Sequence, residues 1–404
     1  MKRIKRASDL VVNDIRKKLD SNVFVKHCRV SEKDFTRDRK LPFKSLILFM
    51  LNIIKQTLQK ELTHFVSLFG GKKAESITKS AYCQSRMKLK HTGFIELNDV
   101  ILKSFYTRCS FKKWNNFIVL GVDGSKLNLP YSEELLKDYG IKLTKDKIMP
   151  QAIISSCYDL LNEIIIDSQI DKGDRTERPL ALKHIENIHK INHKTLMIFD
   201  RGYGALWFMF YLLMKKIDFV MRLKIDFPEV ESFLKSDDIS RIINYEKCSE
   251  KSLNQLKKLG LVFHSIKIRI VKVILDDGTI EILATSLLDE KKYPSIIFKD
   301  LYFLRWGIET NFDRLKNKIE IENFTGLSTL SILQDYYANM FILNLQSIIA
   351  RDVQSEIDED KTESKHKYNV NKNLSLGYMK DRVVNILTSS RKDYMDELRE
   401  LFKI

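Results

Sequence analysis

The chain is 404 residues long and carries 69 Lys and Arg against 53 Asp and Glu, a formal net charge of +16. A hydrophobic share of 44% suffices for a sizeable core and excludes wholesale disorder, while 14 Gly and 6 Pro exclude collagen-like and Pro-rich fibrous classes. Five cysteines, at 28, 83, 109, 157 and 248, form no CxxC pair, which argues against a disulfide framework or a zinc ribbon and fits a reducing cytoplasm.

Residues 1–115 read as a helical, basic domain. They hold 26 Lys and Arg against 10 Asp and Glu, whereas the other 289 residues hold 43 of each. The whole excess lies in the first quarter, which points to a polyanionic partner, most often nucleic acid; a solvated basic face is the alternative. Helical spacing of apolar residues covers Ala7 to Leu19, Pro42 to Lys55, Gln59 to Leu68, Ser76 to Leu89 and Gly93 to Arg108, with a turn at Gly70-Gly71. Ser80, Gln84 and Lys88, at i, i+4 and i+8, form a candidate DNA-reading stripe, against the alternative of an ordinary amphipathic surface helix.

From about residue 116 the pattern changes. Phe117 to Val122, Gln151 to Ser156, Ile164 to Ile170, Thr195 to Phe199 and Phe219 to Leu223 read as strands, with helices at Pro179 to Ile191 and Ala205 to Lys216. This predicts an α/β fold, a mixed sheet covered by helices. Residues 225–290 read as a β-rich insertion, with Ile266 to Ile270, Val271 to Leu275 and a hairpin turn at Asp277-Gly278 before Ile280 to Leu283. A long helix is expected from Tyr293 to Lys318, an apolar helix over 328–350, an exposed charged loop from Ser355 to Lys367, and a helical end from Leu374. Helices over 327–404 would form a C-terminal region. Leu46 to Leu51, the best apolar run, is far short of the ~20 residues of a spanning helix, and no apolar signal-type region follows the basic start Met1-Lys-Arg-Ile-Lys-Arg. A soluble, cytoplasmic protein is expected.

Two carboxylates stand where apolar strands end beside glycine: Asp123 before Gly124, and Asp200 before Arg201-Gly202. If the strands are neighbours, the acids meet at one sheet edge, and hard divalent ions prefer such oxygen ligands; turn-forming aspartates are the plain alternative. Tyr302, Arg305, Glu309 and Lys316, at i, i+3, i+7 and i+14, fall within roughly 60° on one helical face. An acid flanked by two cations suits a metal ligand with phosphate-binding neighbours, and an exposed Arg305–Glu309 pair is the bland reading. The histidines show no paired ligand spacing, so His184 and His189 read as polar-face residues, and Trp306 as a packing aromatic or a base-stacking one.

The run Tyr302-Phe-Leu-Arg305-Trp-Gly-Ile-Glu309-Thr-Asn-Phe-Asp-Arg-Leu-Lys316 has Y-x2-R-x3-E-x6-K spacing, and this resembles the insertion-sequence IS-four family of DDE transposases. Val122-Asp123-Gly124-Ser125 and Phe199-Asp200-Arg201-Gly202-Tyr203 are similar to its two aspartate blocks; Leu283-Ala-Thr-Ser-Leu-Leu-Asp289 and Phe35-Thr-Arg-Asp-Arg-Lys-Leu-Pro-Phe43 also match. The resemblance covers about residues 30–390. It implies an RNase H-like catalytic core over 116–326, with Asp123, Asp200 and Glu309 as catalytic residues and ligands of two Mg²⁺ (or Mn²⁺) ions. It also implies Tyr302, Arg305 and Lys316 at DNA phosphates, and a terminal hairpin intermediate. The implied partners are double-stranded DNA (terminal inverted repeats and target DNA) and a second copy of the chain in a homodimeric complex. The implied function is cut-and-paste transposition by metal-dependent cleavage and strand transfer; the alternatives are an RNase H-like nuclease and a captured, non-transposing DNA-binding protein.

Overall fold

The computed structural model describes residues 6–37, 39–70, 76–143, 148–360, 368–389 and 392–403. The basic start over 1–5, residue 38 of the Phe35 to Phe43 block, Gly71 and the stretch 361–367 lie outside the described residues. Six helices come first: α1 (Ala7–Leu19), α2 (Asn22–Cys28), α3 (Phe43–Leu51), α4 (Leu58–Phe69), α5 (Lys79–Arg86) and α6 (Thr92–Arg108). Then follow β1 (Ile118–Asn128), α7 (Glu133–Tyr139), β2 (Ile141–Leu143), β3 (Ile148–Asp159), β4 (Ile164–Lys172), α8 (Glu177–Asn187), β5 (Thr195–Phe199), α9 (Leu206–Met214) and β6 (Asp218–Arg222). The next stretch holds α10 (Val230–Leu234), β7 (Ser240–Tyr245), α11 (Glu250–Lys258), β8 (Ile266–Ile274) and β9 (Ile280–Thr285). The chain ends with α12 (Ile297–Phe303), α13 (Trp306–Asp313), α14 (Thr329–Asp360), α15 (Lys372–Met379), α16 (Arg382–Thr388) and α17 (Lys392–Phe402).

The described strands form one sheet in the order β2-β3-β1-β5-β6-β9-β8-β7, with β4 paired to β3. β1, β5 and β6 run parallel at its centre, and the other pairings are antiparallel. The central strands are apolar on both faces, as a sheet covered by helices on both sides requires. Their side chains alternate between two clusters. Ile118, Leu120, Val122, Met197 and Phe199 join the larger core, and Phe117, Val119, Leu196, Ile198 and Val220 join a second core with Phe298 and Leu301 of α12. The insertion over 225–290 carries β7, β8 and β9 and prolongs this same sheet through the β6–β9 pairing. It also holds helices α10 and α11, which its short apolar repeats did not reveal.

α14 is the axis of the helical body. It packs on β4, α6, α1, α3, α15 and α17. The first helices therefore share a core with the last ones: Ser8 bonds Asp352, and Arg399 bonds Ser8 and Asp9.

Several expectations need correction. The helix expected over Tyr293 to Lys318 is two α-helices joined by a tight turn at Leu304–Arg305, followed by a π turn over Arg314–Lys318. Residues 355–360 continue α14 rather than forming a loop, because Val353 and Ile357 remain on its buried stripe. Helix α2 was not expected, and its buried anchors are Phe24 and Cys28. No described helix is long and apolar enough to cross a membrane.

Candidate active site

Parallel pairing aligns β1 with β5 so that Val122 lies beside Phe199. The next residues, Asp123 and Asp200, therefore stand side by side at one end of the central sheet. Asp200 leaves its strand through a turn closed by the Tyr203 N–H donating to the Asp200 carbonyl at 3.0 Å. Asp123, by contrast, lies within β1, which continues to Asn128 because its pairing with β3 runs on. Neither Gly124 nor Gly202 takes a positive φ, so neither is there to turn the backbone. Gly124 instead makes room: a Cβ at this position would lie 2.8 Å from Cγ of Glu177.

α13 rides close over β1. Gly121 and Gly307 both face Leu160, with would-be Cβ atoms 3.0 and 3.3 Å from its Cδ2. The approach to the helix is over-wound: Arg305 N–H donates to Tyr302, and Ile308 N–H to Arg305, each across three residues at 3.0 Å. This tight turn directs Arg305 into the site. Its guanidinium donates to Glu309 Oε1 at 2.7 Å and lies 3.8 Å from Asp123 Oδ2. The helix then unwinds, with Ile319 N–H reaching back five residues to Arg314. Buried Arg314 anchors that turn on Gln346 of α14. Lys316 emerges from it and donates to Ser125 Oγ at 2.7 Å, two residues beyond Asp123 on the same strand. Tyr302 is buried beneath Arg305, its ring 5.9 Å from the guanidinium. Trp306 is more than half exposed, so it is not a core aromatic; its ring lies 5.1 Å from Arg305.

The site is crowded with like charge. Burial pushes the Asp123 carboxyl up to about 6, with Glu177 and Asp200 adding to the rise and the Gly124 N–H and Arg305 opposing it. Glu177 is raised in turn by burial and by Asp200. Burial lowers Lys316. The hydroxyl of Tyr302, Nε of Arg305 and both amide atoms of Asn311 are buried without a hydrogen-bond partner. Among the described residues no three His, Cys, Asp or Glu side chains are grouped as an ion's ligands, and the cation seated between Asp123 and Glu309 is Arg305.

A buried chain of hydrogen bonds supports Asp123 from behind. Ser155 Oγ donates to the Asp123 carbonyl at 3.0 Å, and His184 Nε2 lies 3.0 Å from Ser155 Oγ. His184 Nδ1 lies 2.6 Å from Asp167, which also accepts from Gln169 and Asn187. The hydrogen bond and charge of His184 hold Asp167 low against the opposing effect of burial. His184 is fully buried and not a polar-face residue, while His189 is exposed. Sequence spacing gave no sign of this arrangement, because its members come from β3, β4 and α8.

The candidate DNA-reading residues lie elsewhere. Ser80 and Gln84 are exposed on α5, but the helix ends at Arg86 and Lys88 lies in the following turn. Arg86 is buried on Gln334, Asp335 and Thr325, which stops the helix and fixes it to α14. Lys88 lines a cleft of about 400 Å³ with Lys33, Arg37 and Arg39.

Asp123, Asp200 and Glu309 are oxygen donors of the kind a hard divalent cation prefers, and in this structure Arg305 stands between Asp123 and Glu309. The orphaned buried atoms around them are consistent with a centre built to take further polar partners.

The sequence matches the family model described as the transposase DDE domain over residues 123–345, more than half the chain, and the match begins at Asp123. Among curated proteins none matches. The cryo-EM structure of the piggyBac transposase synaptic complex with hairpin DNA is similar over 99% of this chain and 86% of that one, with a TM-score of 0.46 and 12% identity. The chain belongs to the DDE-domain transposases, and its function is that of a DNA transposase.

Proposed function

We propose that Asp123, Asp200 and Glu309 form the catalytic centre of an IS-four-like transposase with an RNase H-like core over 116–326. Residues 1–115 serve as its DNA-binding part and 327–404 as its helical C-terminal part. The observation that carries this reading is the Asp123–Asp200 alignment on adjacent parallel strands, with Glu309 brought to it through Arg305. The three carboxylates would hold Mg²⁺ ions, which when bound supply a Lewis acid for phosphodiester cleavage and strand transfer. The chain's own groups do the rest. Arg305 and Lys316 place cations on either side of Glu309 and orient the scissile phosphate. Tyr302, being buried, acts through the position of Arg305. The Ser155–His184–Asp167 chain fixes the backbone at Asp123. Ser80, Gln84 and Lys88 contact element-end DNA at a distance from the carboxylates, and two copies of the chain pair the ends, which pass through a terminal hairpin.

The test is product analysis. Full-length protein, Mg²⁺ and a DNA carrying the element's ends should yield both excised ends and DNA joined to a target. Cleavage without joined product would reduce the reading to a nuclease with this core; no cleavage, with binding intact, would contradict the catalytic assignment.

A further inference from the structure

The block Phe35 to Phe43 has no part in the chemistry of the carboxylates. It lies instead against the end of α5. The chain after α2 is zipped to the segment behind α5: Val30 N–H donates to the Lys88 carbonyl at 2.9 Å, and Lys90 N–H to the Cys28 carbonyl at 2.7 Å. That segment follows Arg86, which is buried against α14. The loop is itself tightly folded. Asp34 accepts from Ser31 N–H at 2.9 Å, and Thr36 Oγ1 donates to the Lys33 carbonyl at 2.9 Å. Phe35 takes a φ of 58°, a left-handed conformation rare for a bulky residue, and its ring packs edge-on against Phe43 at 5.3 Å.

Loop and helix end enclose the cleft of about 400 Å³. Lys33, Arg37 and Arg39 line it from the loop, and Ser85 and Lys88 from the other side. Asp34 is the acid among them, and its carboxylate is taken up by Ser31 N–H. Four cations against one acid leave the lining with a formal charge of +3. Elsewhere in this domain cations are paired: Lys18 with Glu96, Lys44 with Asp20 and Arg108 with Asp14. Lys33, Arg37, Arg39 and Lys88 form no ion pair among the described residues.

We propose that this cleft grips the phosphate backbone of duplex DNA. This rests on the reading of residues 1–115 as the DNA-binding part. Cations left without acids, on a backbone already held in place, suit a polyanion, because little has to be ordered when it arrives. Two arginines add planar forks that match phosphate oxygens. Contacts of this kind fix position on the duplex and carry no sequence information. Lys88 is therefore a backbone anchor rather than a reader of bases, and it seats α5, whose Ser80 and Gln84 are exposed.

The test is binding of full-length protein to a duplex carrying the element's end and to a duplex of random sequence, each across a salt series. Hydrogen exchange of the same protein, with and without the end duplex, is the second readout. R37A/R39A should lower the slope of log affinity against log salt by about two units, and K88Q by about one, on both duplexes alike. R37K/R39K should keep the wild-type slope, because the charges stay. Wild-type slopes in both R37A/R39A and K88Q would overturn the cleft. Exchange protection by DNA within residues 1–115 would then leave the N-terminal assignment standing, and its absence would overturn that reading too. A loss confined to the end duplex would also overturn the proposal, because it would make these cations readers of sequence. If R37A/R39A does not fold, R37Q/R39Q, which keeps longer stems, takes its place under the same criteria.

Discussion

Arg305 donates a 2.7 Å hydrogen bond to Glu309, and the same guanidinium reaches to 3.8 Å from Asp123. A monovalent cation thus stands between two of the three candidate ligands. The pair is half sheltered, with Arg305 10% exposed and Glu309 41%, so it is more than a solvent-washed helix pair.

Arg305→Ala should therefore act on DNA more than on folding. The slope of log affinity against log salt for cleaved-end DNA should fall by about one unit, and strand joining should slow. Arg305→Lys should restore the slope but not the joining rate, since an ammonium lacks the planar fork. Affinity measured across a salt series checks both; unchanged slope and rate in Arg305→Ala would leave only the ion pair.

Lys316→Ala should show the same loss of about one unit in salt slope. Its ammonium is held by Ser125 rather than by an acid, which leaves its charge available to a phosphate. Ser125→Ala should leave the slope intact and slow joining modestly, because the charge stays and its aim is lost. Single-turnover joining assays separate the two variants.

Asp123 sets a pH signature in chelator. Its carboxyl titrates near 4 when unfolded and about 6 when folded. Between those values the folded protein holds a proton that the unfolded chain does not. The contribution is therefore full below about pH 4 and lost as pH rises through about 6, on the order of 2–3 kcal/mol. Asp123→Asn is neutral throughout, so its stability advantage over wild type should grow from pH 4.5 to 7 in denaturant melts. A pH-independent difference would contradict the assigned burial.

His184→Ala should be among the costlier substitutions away from the carboxylates. It leaves Asp167 buried without its principal partner, for a loss of about 3 kcal/mol in urea unfolding. In Asp167→Asn the His184→Ala change should cost markedly less, because the charge left behind is gone. Additive losses in the double-mutant cycle would show that the two side chains are not coupled.

Much of the central sheet was readable because buried parallel strands are continuous apolar runs, as in Thr195 to Phe199, and Tyr302, Arg305, Glu309 and Lys316 carry a distinctive spacing. The breaks in the helix that bears them were not readable. A turn tightened at Arg305 and one loosened after Asp313 nearly cancel in phase, so the apolar periodicity survives both. Glu177 was silent for another reason: only the fold brings it against Gly124, where it adds to the rise of Asp123. His184 looked like a surface residue because its partners Ser155 and Asp167 come from two strands that precede it.

The most direct test compares Asp123→Asn, Asp200→Asn and Glu309→Gln with wild type for binding and cleavage of element-end DNA in Mg²⁺. The account predicts that each variant loses cleavage by at least about 1,000-fold, as expected when transition-state charge stabilisation is removed, while end binding stays within about two-fold. Near-wild-type cleavage by any of the three folded variants would contradict it.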